Sequence, residues 1–324
     1  MTKVHLITGF LGTGKTTAIL HLLATKPEQE KWAVLVNEFG EVGIDGAILK
    51  TTGVAVREVP GGCLCCVSGL PFQMGLNMLI AREKPDVLLI EPTGLGHPKN
   101  ILKTLMDENY QEVLTLGATL CLLDPRHLLN PRYLENDVFN DQIQLADVLV
   151  ANKTDLCGLA EQQAFEQRLQ QSRPEKAASY WLEQGAIPQA ALAFAFNPER
   201  SALNPKAHSN NSAEPLRIVL PLGPNEPFRR LENRGQGFFS VGWLLQPTPV
   251  FAAAKLRDWL SCLEVERAKG IVITDEGGKI FNLREGVLSE MATNELDESR
   301  IELIDAKPFN LAHIEAQMLA CLKS

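Results

Sequence analysis

The sequence predicts an α/β fold: a mainly parallel sheet covered by helices on both faces, followed by a smaller C-terminal α+β domain. Three observations carry that expectation. Short apolar runs alternate with longer helical patterns through residues 1–196. A glycine-rich stretch, Gly9–Thr16, joins the first apolar run to the first helical pattern. Composition then shifts at Asn197–Pro215, where three prolines, four asparagines and three serines stand among few apolar residues.

The expected strands of the first domain are Lys3–Thr8, Trp32–Asn37, Val54–Val59, Asp86–Glu91, Gly117–Asp124 and Asp147–Ala151. Between them, helical spacing covers Lys15–Ala24, Leu70–Arg82, Pro98–Asp107 and Ala160–Gln171. Strands separated by helices imply crossover connections and so a parallel sheet. Residues 197–215 read as a linker and 216–324 as the second domain. There, strands are expected at Arg217–Leu222, Gly237–Leu245, Gly270–Thr274 and Arg300–Ile304, with amphipathic helices at Val250–Leu263 and Leu311–Leu322. A chain of 324 residues suits two such domains.

The formal net charge is −8. An acidic chain repels phosphates through its summed field, so nucleic acid and anionic membranes are not expected partners. A phosphate ligand then needs a dedicated local site. No apolar run reaches 18 residues, so no transmembrane helix is expected and the cytoplasm is the expected location. Of seven cysteines, three crowd into Cys63, Cys65 and Cys66. In a reducing compartment, that spacing suggests metal or redox chemistry rather than a disulfide framework.

The stretch Gly9-Phe10-Leu11-Gly12-Thr13-Gly14-Lys15-Thr16 fits G-x-x-x-x-G-K-[ST] in full. Glycines let backbone N–H groups turn inward around phosphates, and the following helix adds its positive N-terminus. Lys15 supplies a point charge for the β- and γ-phosphates, and the Thr16 hydroxyl can ligate Mg2+. Glu91 ends an apolar strand, where ligands bind in open α/β sheets, and can act on Mg2+ or its water shell. Gly94, three residues on, can donate its N–H to the γ-phosphate. Asn152-Lys153-Thr154-Asp155 follows the sixth strand. The Asp155 carboxylate can accept from guanine N1–H and the exocyclic amine, a donor pair that adenine lacks.

Between the second and third strands, Asn37–Asp45 holds two glycines and three acids, as a nucleotide-sensing loop would. Gly61 and Gly62 permit a tight loop that turns Cys63, Cys65 and Cys66 toward one point. Zinc prefers four-coordinate thiolate sites, so three cysteines leave a position for water, a partner's ligand or an acid such as Glu41. Buried structural cysteines and a redox loop are the alternatives. His97 is a weaker candidate for the same site.

Taken together, Gly9–Thr17, Asn37–Asp45, the Gly-Cys-Leu-Cys-Cys run, Glu91–Gly94 and Asn152–Asp155 resemble the CobW-type metallochaperone GTPases of the SIMIBI class of P-loop proteins. The match is closest to the YeiR branch, through Val36–Gly46 and Ile90–Pro98. The segments Gly235–Gly237, Val265–Gly270 and Ser299–Ile304 resemble that family's small domain. The resemblance implies GTP hydrolysis, Mg2+, and zinc, or cobalt in some members, at the three cysteines. By position it maps the phosphate loop to Gly9–Thr17, including Thr17, and the guanine reader to Asn152, Lys153 and Asp155. The implied partners are GTP, GDP and a client metalloprotein, with metal- or nucleotide-dependent self-association left open. A nucleotide-tuned metal sensor or buffer competes with this reading. A small-molecule kinase with a structural zinc does too, although the guanine motif argues against it.

Overall fold

The computed structural model of the chain describes residues 1–37, 49, 53–59, 70–94, 97–200, 222–223, 226–235, 238–284, 286–293 and 296–323. They fall into two compact units.

In the first unit, parallel strands order as β3-β2-β4-β1-β5-β6-β7. In chain order these are β1 (Thr2–Thr8), β2 (Trp32–Asn37), β3 (Ala55–Val59), β4 (Val87–Glu91), β5 (Leu114–Leu123), β6 (Val148–Ala151) and β7 (Ala178–Trp181). The helices are α1 (Lys15–Thr25), α2 (Leu70–Glu83), α3 (Pro98–Leu105), α4 (Pro131–Leu134), α5 (Asp137–Leu145) and α6 (Leu159–Gln171). Every residue of β4 is buried, because helices cover both faces of a parallel sheet and leave no solvent side to alternate toward. One such layer joins Val4, Leu35 and Ile90 of the sheet to Phe72 and Leu76 of α2 and Ile101 of α3. The apolar spacing of α2 and α3 at three and four residues aims these side chains at the sheet.

All six expected strands are present: Trp32–Asn37 has the expected bounds, and no end of the others is shifted by more than three residues. The strand β5 starts at Leu114 rather than Gly117 because Leu114, Thr115 and Leu116 pair with Thr2, Lys3 and Val4. The helix α3 stops at Leu105, and Asp107 instead caps a short 3-10 turn by accepting from Asn109 N. The edge strand β7 and the helices α4 and α5 were not expected. The side chain of Asn136 starts α5 by accepting from Phe139 N at 3.1 Å. Asp147, fully buried, accepts from Thr119 N, Asn197 N and Arg200 Nε, so this unit's contacts run past residue 196.

His5 of β1 is 1% exposed, with its Nδ1 3.1 Å from Ala118 O. Burial pushes its pKa down from 6.5 to about 4, with the charge of Lys3 a smaller contribution in the same direction. A depressed histidine pKa means that the unfolded chain takes up a proton which the folded one refuses. Stability is therefore complete above pH 6.5 and falls as pH drops from there toward 4. The expected loss is about 2–3 kcal/mol, the linkage of a shift of this size. Denaturant titrations from pH 7 to pH 4.5 should show this loss in the wild type and a smaller one in His5→Gln. Parallel curves for the two proteins would rule it out.

The second unit is an antiparallel sheet in the order β12-β11-β10-β13-β9-β8. Its strands are β8 (Phe228–Gly235), β9 (Phe238–Leu245), β10 (Arg267–Thr274), β11 (Gly277–Arg284), β12 (Val287–Thr293) and β13 (Ser299–Asp305), with helices α7 (Ala253–Ser261) and α8 (Leu311–Ala320). Trp243, Phe281 and Leu303 of the sheet pack with Leu256 of α7 and Met318 of α8. The expected strands at Gly237–Leu245, Gly270–Thr274 and Arg300–Ile304 correspond to β9, β10 and β13. The one expected at Arg217–Leu222 lies outside the described residues apart from Leu222. The strands β8, β11 and β12 were not expected.

Candidate functional site

The central strand β1 lies between β4 and β5, so the segments that leave β1, β4, β5 and β6 at their carboxyl ends emerge on one edge of the sheet. The first of these segments is the glycine-rich loop. Gly14 forms the N-cap of α1 with φ 96°, in left-handed space that glycine enters without strain. A Cβ there would also stand 2.5 Å from Asn152 Nδ2. The buried ammonium of Lys15 donates to Gly9 O at 3.1 Å and Phe10 O at 3.4 Å, which holds a positive charge within the loop's own span. The Thr13 hydroxyl donates to Phe10 O at 3.0 Å. Gly12 also has positive φ, and Thr17 is exposed in the first turn of α1. The ring of Phe10 meets Tyr133 and Phe139 edge-on, with centroids at 5.5 and 6.0 Å, and His127 stacks on Tyr133.

From β4 comes Glu91, 3% exposed, whose Oε1 accepts from the Thr16 hydroxyl at 3.1 Å. Two residues 75 apart in sequence thus meet because β4 pairs directly with β1. Gly94 lies against the loop: a Cβ would come 2.8 Å from Leu11 N. Its carbonyl accepts from Gln142 Nε2 at 3.0 Å. His97 is buried at the N-cap position of α3.

From β6 comes Asn152, whose buried side chain bridges two loops. Its Nδ2 donates to Thr13 O at 2.8 Å and its Oδ1 accepts from Gly185 N at 2.9 Å. The segment after β7 is thereby tied to the phosphate loop, and Thr154 N adds a bond to Leu182 O. Lys153 takes left-handed backbone, φ 62°, and its ammonium lies 3.8 Å from Asp124 Oδ2. Asp124 is fully buried at the end of β5. Burial alone would raise its pKa, but the Arg126 guanidinium with His127 and Lys153 outweighs that and holds the carboxyl below the usual range. Asp155 sits exposed in a 3-10 turn, Thr154–Leu156.

The structure therefore gathers Gly9, Gly12, Thr13, Gly14, Lys15, Thr16, Glu91, Gly94 and Asn152 into one connected set of contacts. Cys63, Cys65, Cys66 and Glu41 lie outside the described residues, as does the Asn37–Asp45 segment apart from Asn37. The elements flanking the cysteines are described: β3 ends at Val59 and α2 begins at Leu70. Among the described residues, no group of three His, Cys, Asp or Glu could hold a metal ion. Burial pushes the Cys121 thiol up to about 12 and the Cys157 thiol up to about 11, so neither is a ready thiolate at neutral pH. Residue-level reading missed Asp124, Arg126, Gln142 and the segment Leu182–Gly185. None of these belongs to a contiguous motif. The one available signal was polarity inside α5, where Asp141 and Gln142 are buried.

A strand, a glycine-rich loop and a helix at the carboxyl edge of a parallel sheet define a P-loop nucleotide-binding protein. A profile for the CobW/HypB/UreG nucleotide-binding domain matches residues 3–179. The zinc chaperone YeiR of Escherichia coli is 43% identical over 325 residues, covering 98% of this chain and 98% of that protein. The zinc-regulated GTPase metalloprotein activator 1 of Schizosaccharomyces pombe is 31% identical over 167 residues, covering 47% of this chain and 39% of that protein. Among solved structures, the Zn(II)-bound YjiA GTPase from E. coli aligns over 99% of both chains at 20% identity, with a TM-score of 0.43. The chain belongs to the CobW/HypB/UreG family.

Proposed function

We propose that this chain is a zinc-binding GTPase acting as a metallochaperone: GTP binding and hydrolysis are coupled to the binding of zinc, or a similar thiophilic metal, and its delivery to a client protein. The observation that carries the nucleotide half is the 3.1 Å contact between Thr16 Oγ1 and Glu91 Oε1 beside a buried Lys15. A hydroxyl and a buried carboxylate are hard oxygen donors and suit Mg2+. That ion, when bound, neutralises charge on the phosphates. Lys15 stabilises the charge that develops on the transferred group, and the backbone of Gly9, Gly12, Thr13 and Gly14 binds phosphate, with Thr16 and Thr17 opening the helix behind it. Gly94 contacts the γ-phosphate. Asn152 and Lys153 hold the base loop, and Asp155 reads guanine.

The zinc half is supported by the names of the relatives, one of which is matched over 98% of this chain. Cys63, Cys65 and Cys66 supply three thiolates and Glu41 a fourth ligand, in a shell that only the GTP state completes. Among the described residues, no helix is long and apolar enough to cross a membrane, and we place the protein in the cytoplasm. Self-association that depends on metal or nucleotide is part of the same proposal.

The test is a zinc titration against a chelator of known affinity, at fixed pH because thiolate ligation releases protons. Zinc is expected to bind more tightly with a GTP analogue than with GDP, by roughly 5–150-fold for a coupling of ordinary size. Linkage requires the same factor in the affinity for the analogue when zinc is present. Equal zinc affinity in the two states would leave two independent sites and no delivery mechanism.

A further inference from the structure

Helix α5 touches both loops that face the phosphates. Phe139 meets Phe10 of the glycine-rich loop edge-on at 6.0 Å. One turn further, on the same face of the helix, Gln142 donates Nε2 to Gly94 O at 3.0 Å. Both ends of the helix are fixed. Asn136 caps the first turn. At the other end the Lys176 ammonium donates to Ile143 O, Gln144 O and Ala146 O, at 2.5 to 3.1 Å. Gln142 is 1% exposed. If this position served packing alone, leucine would fill it without the cost of burying an amide. Gly94 also lies close to Leu11, since a Cβ on it would come 2.9 Å from Leu11 Cα. Gly94 thus touches both the phosphate loop and one side chain of α5.

We propose that Gln142 is a positioning residue for GTP hydrolysis: it fixes the Glu91–Gly94 turn relative to the phosphate loop, so that Gly94 meets the γ-phosphate in one orientation. This rests on the reading of Gly94 as the γ-phosphate contact. The role concerns the third phosphate, because the group that Gln142 holds is the carbonyl of Gly94.

The test uses the full chain, with GTP turnover and the affinities of GDP and of a non-hydrolysable GTP analogue. Gln142→Met keeps the shape and removes the donor. Turnover and analogue affinity are each expected to fall about tenfold, the scale of one buried hydrogen bond, with GDP affinity within about twofold of wild type. A parallel fall in GDP and analogue affinity, or no change in either, overturns the role. Gln142→Glu keeps the test open if the methionine variant fails to fold. Facing a buried carbonyl, the new carboxyl has a raised pKa and donates only while protonated. Its turnover relative to wild type should therefore decline as pH rises, and a flat ratio counts against the proposal. Gly94→Ala separates the two readings. If it leaves the preference for the analogue over GDP intact, the Gly94 contact is wrong and the inference falls with it. If Gly94→Ala abolishes that preference while Gln142→Met retains it, the Gln142 role alone is wrong.

Discussion

Replacing Asp155 by asparagine is expected to weaken GTP binding about a hundredfold and to make xanthosine triphosphate the better ligand. The reason is donor and acceptor matching. Guanine presents two N–H groups on one edge, and a carboxylate accepts both. An asparagine amide presents one acceptor and one donor, so guanine's second N–H faces another N–H. Xanthine has a carbonyl at that position and restores the pair. The backbone should not change, because Asp155 is exposed and the base loop is fixed through Asn152 and Thr154 rather than through its carboxylate. An exposed substitution of this kind alters stability by about ±0.5 kcal/mol. Competition binding with GTP, xanthosine triphosphate and ATP reads the effect directly. A wild type that binds ATP as tightly as GTP would remove the premise, and a variant that loses all three triphosphates equally would point to collapse of the loop instead.

Much of the first unit was legible because its physics is local. The strands β2, β4 and β6 are nearly continuous apolar runs, as burial on both faces demands, and β1 and β5 are mostly apolar. The edge strand β7, Ala-Ser-Tyr-Trp, was not legible: it is four residues long and alternates between half-buried and exposed. The helix α5 escaped because it buries Asp141 and Gln142, which break an apolar stripe. In the second unit, β8 reads Phe-Arg-Arg-Leu-Glu-Asn-Arg-Gly and looks like a charged loop. Its polarity is satisfied at long range, through Arg230 to Glu315 of α8. The exposed edge strand β12 is tied down similarly, by Glu290 to Arg257 of α7 and Lys279 of β11.

The candidate site divides along the same line. Gly9–Thr16 is contiguous, and backbone geometry dictates its residue types, so it can be read from one window. Asn152 was legible as a motif member, but its structural work was not: its partners Thr13 and Gly185 lie 139 and 33 residues away. Gln142 is 48 residues from Gly94 and belongs to no motif. Such contacts exist only once the sheet order brings the loops to one edge.

Lys15→Ala should lower GTP turnover by about 10²–10³-fold, the usual scale for removing one preorganised charge from a developing anion. In this chain there is little to replace it. The net charge is −8, so the long-range field opposes a triphosphate rather than helping to hold it. Lys15 is 6% exposed, and burial strengthens the interaction of its charge with phosphate relative to bulk water. Lys15→Arg is not a conservative rescue, because a planar guanidinium cannot take the place of a compact point charge inside a tight loop. Structural damage is distinguishable. The Lys15 ammonium donates to Gly9 O and Phe10 O, both within the loop, whereas the pairing of the sheet and the Asn152 bridge are made by other groups. The variant should therefore melt close to wild type, and its GDP-state zinc affinity should be unchanged because hydrolysis, not the metal shell, has been disabled. Phosphate release under single-turnover conditions measures the loss without interference from product release. Turnover within tenfold of wild type would mean that the charge acts elsewhere and that another group stabilises the transferred phosphoryl.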